Sequence, residues 1–168
     1  MTSPFVAILM GSDSDLPVMQ ATIDILKQFD ISHEVRVRSA HRTPDAAKAY
    51  VKDAEERGCK VFICAAGLAA HLAGAVAGMT TRPVIGVPID CGPLQGHDAL
   101  LSTVMMPGGI PVATVAIGKA GAKNAGYLAA QILGIADQSM ADKVKAERVA
   151  NAKALLAKDD AMQAKLSK

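Results

Sequence analysis

Five short apolar runs, each followed by a turn and then by a stretch of helical periodicity, constrain this chain more than any other feature. Phe5–Met10, Glu34–Val37, Val61–Ala66, Pro83–Val87 and Val112–Ile117 are strand-length and rich in β-branched or aliphatic residues. The first and third are apolar throughout, and the fifth is so apart from Thr114, as strands covered on both faces tend to be. After Asp15, read as an N-cap, Pro17 suits a first helical turn, and Met19, Ile23 and Leu26 recur at helical spacing. Thr43-Pro44 repeats the pattern, with Ala47, Tyr50, Val51 and Ala54 as the buried face and Gly58 as the stop. Shorter helices are expected over Ala69–Gly78 and Asp98–Met105, and an Ala-rich one over Lys119–Leu133 with Ala122, Ala125, Ala129 and Ile132 facing inward. Strands separated by helices, through connections too long for hairpins, imply a parallel sheet in a three-layer α/β/α domain. That domain is expected over residues 1–135. Residues 136–168 change to mixed charge with a sparse apolar stripe, and are expected to form a C-terminal helical extension on the same or a neighbouring subunit.

A chain of 168 residues fits one core, since domains typically run to about 100–200 residues. Residues of hydrophobic type make up 51% of it, aromatics only 3%. So much small apolar surface suggests subunit contacts. A net charge of +2 without a basic block, and so few aromatics to stack on bases, argues against nucleic-acid binding. No apolar run approaches the roughly 18 residues of a membrane span, and the N-terminal segment lacks the basic start of a signal peptide. Cys59, Cys64 and Cys91 are odd in number and without CxxC spacing, so neither disulfides nor a zinc site is indicated. A soluble cytoplasmic protein is expected.

Ligands of such folds bind outside the carboxyl ends of the strands. Gly11-Ser-Asp-Ser-Asp15 follows the first strand there; its hydroxyls and free N–H groups suit an anion, or it is a capping turn. It is neither a GxGxxG nor a GxxxxGK[ST] loop, which disfavours dinucleotides and P-loop nucleotides. Ser39-Ala-His-Arg-Thr-Pro44 places a hydroxyl, an imidazole and a guanidinium within four residues. Arg42 can give phosphate two parallel hydrogen bonds, and His41 can give and take a proton near neutral pH. Around His71, the small residues of Ala65–Gly74 fit either a substrate lying against backbone or a tightly packed helix. Met106–Pro111 reads as a pocket lip or a plain connection. His33, His41, His71 and His97 show no HxH or HExxH pairing, so no metal is expected.

Taken together, these motifs resemble the N5-carboxyaminoimidazole ribonucleotide mutase family, also called the phosphoribosylaminoimidazole carboxylase catalytic subunit. The resemblance runs over about residues 5 to 135. It is carried by Gly11–Asp15, Ser39–Pro44, Ala69-Ala-His-Leu-Ala-Gly74, Gly86-Val-Pro88, Asp98–Pro107, Gly109–Ile117 and Asn124–Leu133, in the family's order. It implies a flavodoxin-like domain, a homo-octamer with sites at subunit contacts, no cofactor, and a small ribonucleotide substrate whose carboxylate moves from an exocyclic nitrogen to carbon 4. By matching position, it implies that Ser12, Asp15 and Arg42 bind substrate and that Ser14 and Ser39 help hold its phosphate. His41 would carry the proton, and His71 would lie near the migrating carboxylate. Gly67–Ala70 and Gly74 would form the small-residue wall around it, and Gly67, Ala70 and Leu72 would contact substrate. Leu68, Ala73 and Met105 depart from the family's usual residues. The branch that carboxylates aminoimidazole ribonucleotide directly typically has Lys at the position of Arg42. A non-catalytic flavodoxin-like phosphate-binding module is the reading outside enzymes.

Overall fold

A computed structural model describes residues 4–167; residues 1–3 and 168, and with them the outer ends of the two expected segments, lie outside it. Five parallel strands, β1 (Phe5–Met10), β2 (His33–Val37), β3 (Cys59–Ala66), β4 (Val84–Pro88) and β5 (Ala113–Thr114), form one sheet in the order β2-β1-β3-β4-β5. The helices are α1 (Leu16–Gln28), α2 (Pro44–Glu56), α3 (Leu72–Ala77), α4 (His97–Val104), α5 (Gly118–Gly134) and α6 (Gln138–Leu166). The chain leaves β1 toward β2 on one side and returns to β3 on the other, so the strand order reverses around β1. Clefts form at such switch points.

Side chains alternate across the sheet, and this sorts the core into two layers. Val6, Ile8, Met10, Val61 and Ile63 face α1 and α5, packing with Met19, Leu26, Ala122, Ala125 and Ala129. Phe5, Ala7, Leu9, Phe62 and Cys64 face the other way, toward Tyr50, Val51 and Ala54 of α2 and Leu72 and Val76 of α3. The small residues of α5 let it lie close on α1. A β-carbon at Gly126 would sit 2.8 Å from Ile25 Cβ. Thr22, fully buried, donates its hydroxyl proton to the Ala122 carbonyl at 2.6 Å.

Expected Val112–Ile117 shrinks to the two residues of β5. The reason is its neighbour. Val115 N–H still donates to the Gly86 carbonyl at 3.0 Å, but the next rung of the parallel ladder needs an N–H from Pro88, which has none. At the other edge, β2 is pinned through Glu34. Arg57 reaches it from the end of α2 through two nitrogens, Tyr50 donates its phenolic proton at 2.9 Å, and Arg57 Nε also holds Asp53 at 2.7 Å. The Arg57 hydrogen bonds hold the Glu34 carboxyl below its ordinary range. The edge strand, and the loop it carries at 39–43, is thereby fixed to α2.

The extension is one helix of 29 residues. Its first half packs on α5, with Val144 buried and Tyr127 donating to Glu147 at 3.2 Å. Leu155, Leu156, Met162 and Leu166 in its second half stand exposed. No helix among the described residues is long and apolar enough to cross a membrane.

Candidate active site

Beyond the carboxyl ends of β1, β2 and β3, three loops enclose an open cavity of about 530 Å³. The first loop, after β1, is a tight knot. The Ser12 hydroxyl accepts from Ser14 N–H at 3.3 Å and from the Ser14 hydroxyl at 2.9 Å, and the Asp15 carboxylate accepts from Ser12 N–H at 3.1 Å. Asp15 therefore does not cap α1, as its position suggests, but turns back to close the 3-10 turn over Asp13–Asp15. Burial raises its carboxyl above the ordinary value, opposed by the N–H groups of Ser12 and Gly11 and by the nearby Arg42 charge. A carboxylate with one oxygen held by backbone keeps the other to accept from hydroxyls.

In the second loop, Thr43 likewise declines the capping role expected of it. Its hydroxyl bonds back to Ser39, accepting from the N–H at 3.0 Å and donating to the carbonyl at 3.2 Å. Ser39 Oγ in turn accepts Arg42 N–H at 3.1 Å. This closed ring of contacts presents His41 and Arg42 outward on a fixed backbone. Arg42 Nη2 then bridges to the Gly11 carbonyl at 2.8 Å, joining the two loops and leaving the rest of its fork for an anion.

The third loop brings the main surprise. His71 lies 30 residues from His41 in sequence, yet its Nδ1 is 2.8 Å from His41 Nε2, with the rings nearly perpendicular at 84°. At that distance one ring nitrogen donates to the other, on the wall of the cavity. Such a pair can pass a proton from one ring to the other. Gly67 and Leu72 line the same cavity, as do Ser12, Ser14, Asp15, Ser39 and Arg42. Ala70 does not. It is 1% exposed and sits behind the wall.

Leu68 and Ala69 of the expected wall also line the cavity, Gly74 does not, and Cys91 joins them without having been singled out. Leu68 adopts a left-handed backbone (φ +55°) with its side chain over Gly92, where a β-carbon would lie 2.5 Å from Leu68 Cδ2. A β-carbon at Gly67 would fall on the Cys91 sulfur, so Gly67 keeps the wall thin. Cys91 carried no sequence signal beyond its place after β4. The loop at 106–111 is no lip of this cavity: Gly109, Ile110 and Pro111 line a separate depression with Val84, at the opposite end of β4. His97 bonds the Leu94 carbonyl at 3.0 Å and does not reach the cavity. Among the described residues, no group of three His, Cys, Asp or Glu could hold a metal ion.

The model of the family described as AIR carboxylase matches residues 5–154. The chain belongs to that family. The N5-carboxyaminoimidazole ribonucleotide mutase of Thermotoga maritima is 58% identical over 142 residues, 84% of this chain and 82% of that relative. The enzyme of the same name from Mycobacterium tuberculosis H37Rv is 52% identical over 160 residues, 95% and 91% of the two. The solved structure of Treponema denticola PurE superposes with a TM-score of 0.85 at 34% identity, covering 94% of this chain and 98% of that one. The AIR carboxylase family match spans the three cavity loops and the first part of α6.

Proposed function

We propose that this chain converts N5-carboxyaminoimidazole ribonucleotide to 4-carboxyaminoimidazole ribonucleotide in purine biosynthesis. The observation that carries the reading is the His41–His71 pair standing in one cavity with the Arg42 and Ser12 loops. Identities of 52–58% to enzymes named as mutases support the rearrangement, and so does Arg42 in place of the lysine of the direct carboxylases.

Phosphate is held by Arg42, Ser14 and Ser39, and the sugar hydroxyls meet Asp15 and Ser12. Protonated His41 gives its proton to the carbamate nitrogen, the carbon–nitrogen bond breaks, and carbon dioxide and aminoimidazole ribonucleotide remain enclosed. Carbon 4 then attacks carbon dioxide, and His41 removes the proton from carbon 4, which restores its starting state. The wall at Gly67 and Leu72, beside His71, keeps carbon dioxide from water while the anchored phosphate holds the ring still. No step calls for a metal or an organic cofactor.

The purified protein is expected to convert the N5-carboxylated substrate without bicarbonate, and with unchanged turnover after exhaustive chelation. Turnover of aminoimidazole ribonucleotide plus bicarbonate alone would assign direct carboxylation instead. Arg42→Lys keeps the charge but cannot both bridge to Gly11 and fork onto phosphate. With charge-assisted hydrogen bonds worth roughly 1.5–3 kcal/mol, titration with the product ribonucleotide should show about tenfold weaker binding or more. Unchanged affinity would make Arg42 a purely structural link.

The assembly belongs to the same proposal. In and beside α4, Leu94, Leu101 and Met105 are 59%, 60% and 77% exposed, and the far half of α6 carries its own uncovered leucines. A homo-octamer with shared sites would cover these, with α6 laid on a neighbour. Light scattering should give about eight times 17.4 kDa; an active monomer would contradict it. The free cysteines are consistent with work in the cytoplasm.

A further inference from the structure

The His41–His71 pair needs both imidazoles in register, yet the ring of His71 has no hydrogen-bond partner among the described residues other than His41. Its backbone is what holds it. His71 N–H donates to Ala69 and its carbonyl accepts from Ala75, each at 2.9 Å, so its place depends on the peptides around 69–71.

Those peptides are gripped from α4. The Ser102 hydroxyl donates its one proton to the Asp98 carbonyl at 2.6 Å, one turn back on its own helix. Its lone pair is thereby aimed outward, and it accepts Ala70 N–H at 3.0 Å. Ala70 is buried, so no solvent replaces that acceptor. The helix that supplies it has little freedom. Buried Thr103 donates to Ala99 at 2.7 Å, and its methyl fills the space that a β-carbon on Gly86 of β4 would take. Just beyond α4, Met106 lies on Gly74, where a β-carbon would come 3.1 Å from its sulfur. The two ends of the His71 turn, residues 70 and 74, are thus both held by one segment that does not itself line the cavity.

We infer that Ser102 is a positioning residue for the reaction: through Ala70 N–H it sets the His71 imidazole against His41. The inference rests on the proposed role of that pair. It differs from general support of the fold because the phosphate and sugar contacts sit on two other loops, which Ser102 does not touch.

The test is a double-mutant cycle on the full-length enzyme. Ser102→Ala should lower kcat about 10- to 100-fold, the scale on which small misplacements of reacting groups act, with KM within about twofold. In a His71→Ala background the same substitution should lower kcat by less than about threefold further, because the residue it acts through is gone. Equal losses in both backgrounds would overturn the proposal while leaving the pair intact. An unchanged kcat in His71→Ala would instead remove the pair and the proposal with it. Wild-type kcat in Ser102→Ala, or a loss carried wholly by KM, would also overturn it. If Ser102→Ala does not fold, Ser102→Cys keeps a weaker acceptor at the same place and should show a smaller loss in kcat; wild-type kcat there would overturn the inference.

Discussion

Replacing His41 by Asn is expected to abolish nearly all turnover while leaving a folded protein that still binds the product ribonucleotide. A general acid–base group contributes about 10²–10⁴ in rate, and here one imidazole serves two proton movements, so about 10⁴ or more should be lost. Asparagine keeps similar size and polarity but cannot exchange a proton near neutral pH. The backbone that carries position 41 is closed by the Ser39, Arg42 and Thr43 contacts, none of which uses the His41 ring. Binding should therefore survive, because Arg42 still bridges to Gly11 and the serine knot is untouched. Carboxylate exchange between product and labelled carbon dioxide is the sharpest measurement, since it isolates the chemistry from release. Turnover within tenfold of the parent would transfer the proton role to another group, with His71 next in line.

The sequence made His41 and Arg42 visible because both sit in one short run after a strand. Their partners were harder to see. The contact between His41 and His71 spans 30 residues and exists only because β2 and β3 lie on either side of β1. Local rules also misled where a side chain had two destinations. Asp15 and Thr43 occupy cap positions, but each bonds backward into its own loop, and those backward bonds shape the site. Strand boundaries at Phe5–Met10 followed from composition alone. The short β5 did not, because its limit comes from a proline in the neighbouring strand. Ser102 looked like one polar residue in a helix; its partner, the Ala70 N–H, comes from another loop.

A second substitution is expected to act on the fold rather than the chemistry. Gly121→Ala in α5 would ordinarily favour a helix by up to about 1 kcal/mol. Here the added carbon would land on the carbonyl group of Ala116, with the Ala116 Cα 3.2 Å away. The obstacle is backbone, so no rotamer change relieves it, and α5 would have to lift from the sheet where Ala122 and Ala125 are fully buried. Overpacking of this kind costs about 3 kcal/mol or more. For a chain of this size that lowers Tm by roughly 6–12 °C. Gly108→Ala is the control, since nothing lies within 4 Å of its added carbon. Equal melting temperatures for the two variants would show that the β5–α5 junction yields freely.

The leucine over Gly92 bears on which of the two loops can be exchanged alone. A non-glycine residue held at φ +55° carries a left-handed cost of about 1–2 kcal/mol. Its side-chain end rests on Gly92, which stands at φ +74°, a backbone conformation that L side chains rarely adopt. Position 92 is therefore restricted to glycine by its own backbone, whatever stands at 68. Leucine at 68 is half exposed, so its side chain can move aside. A chimera that replaces the loop at 68 should keep its fold, whereas one that brings a side chain to position 92 should not.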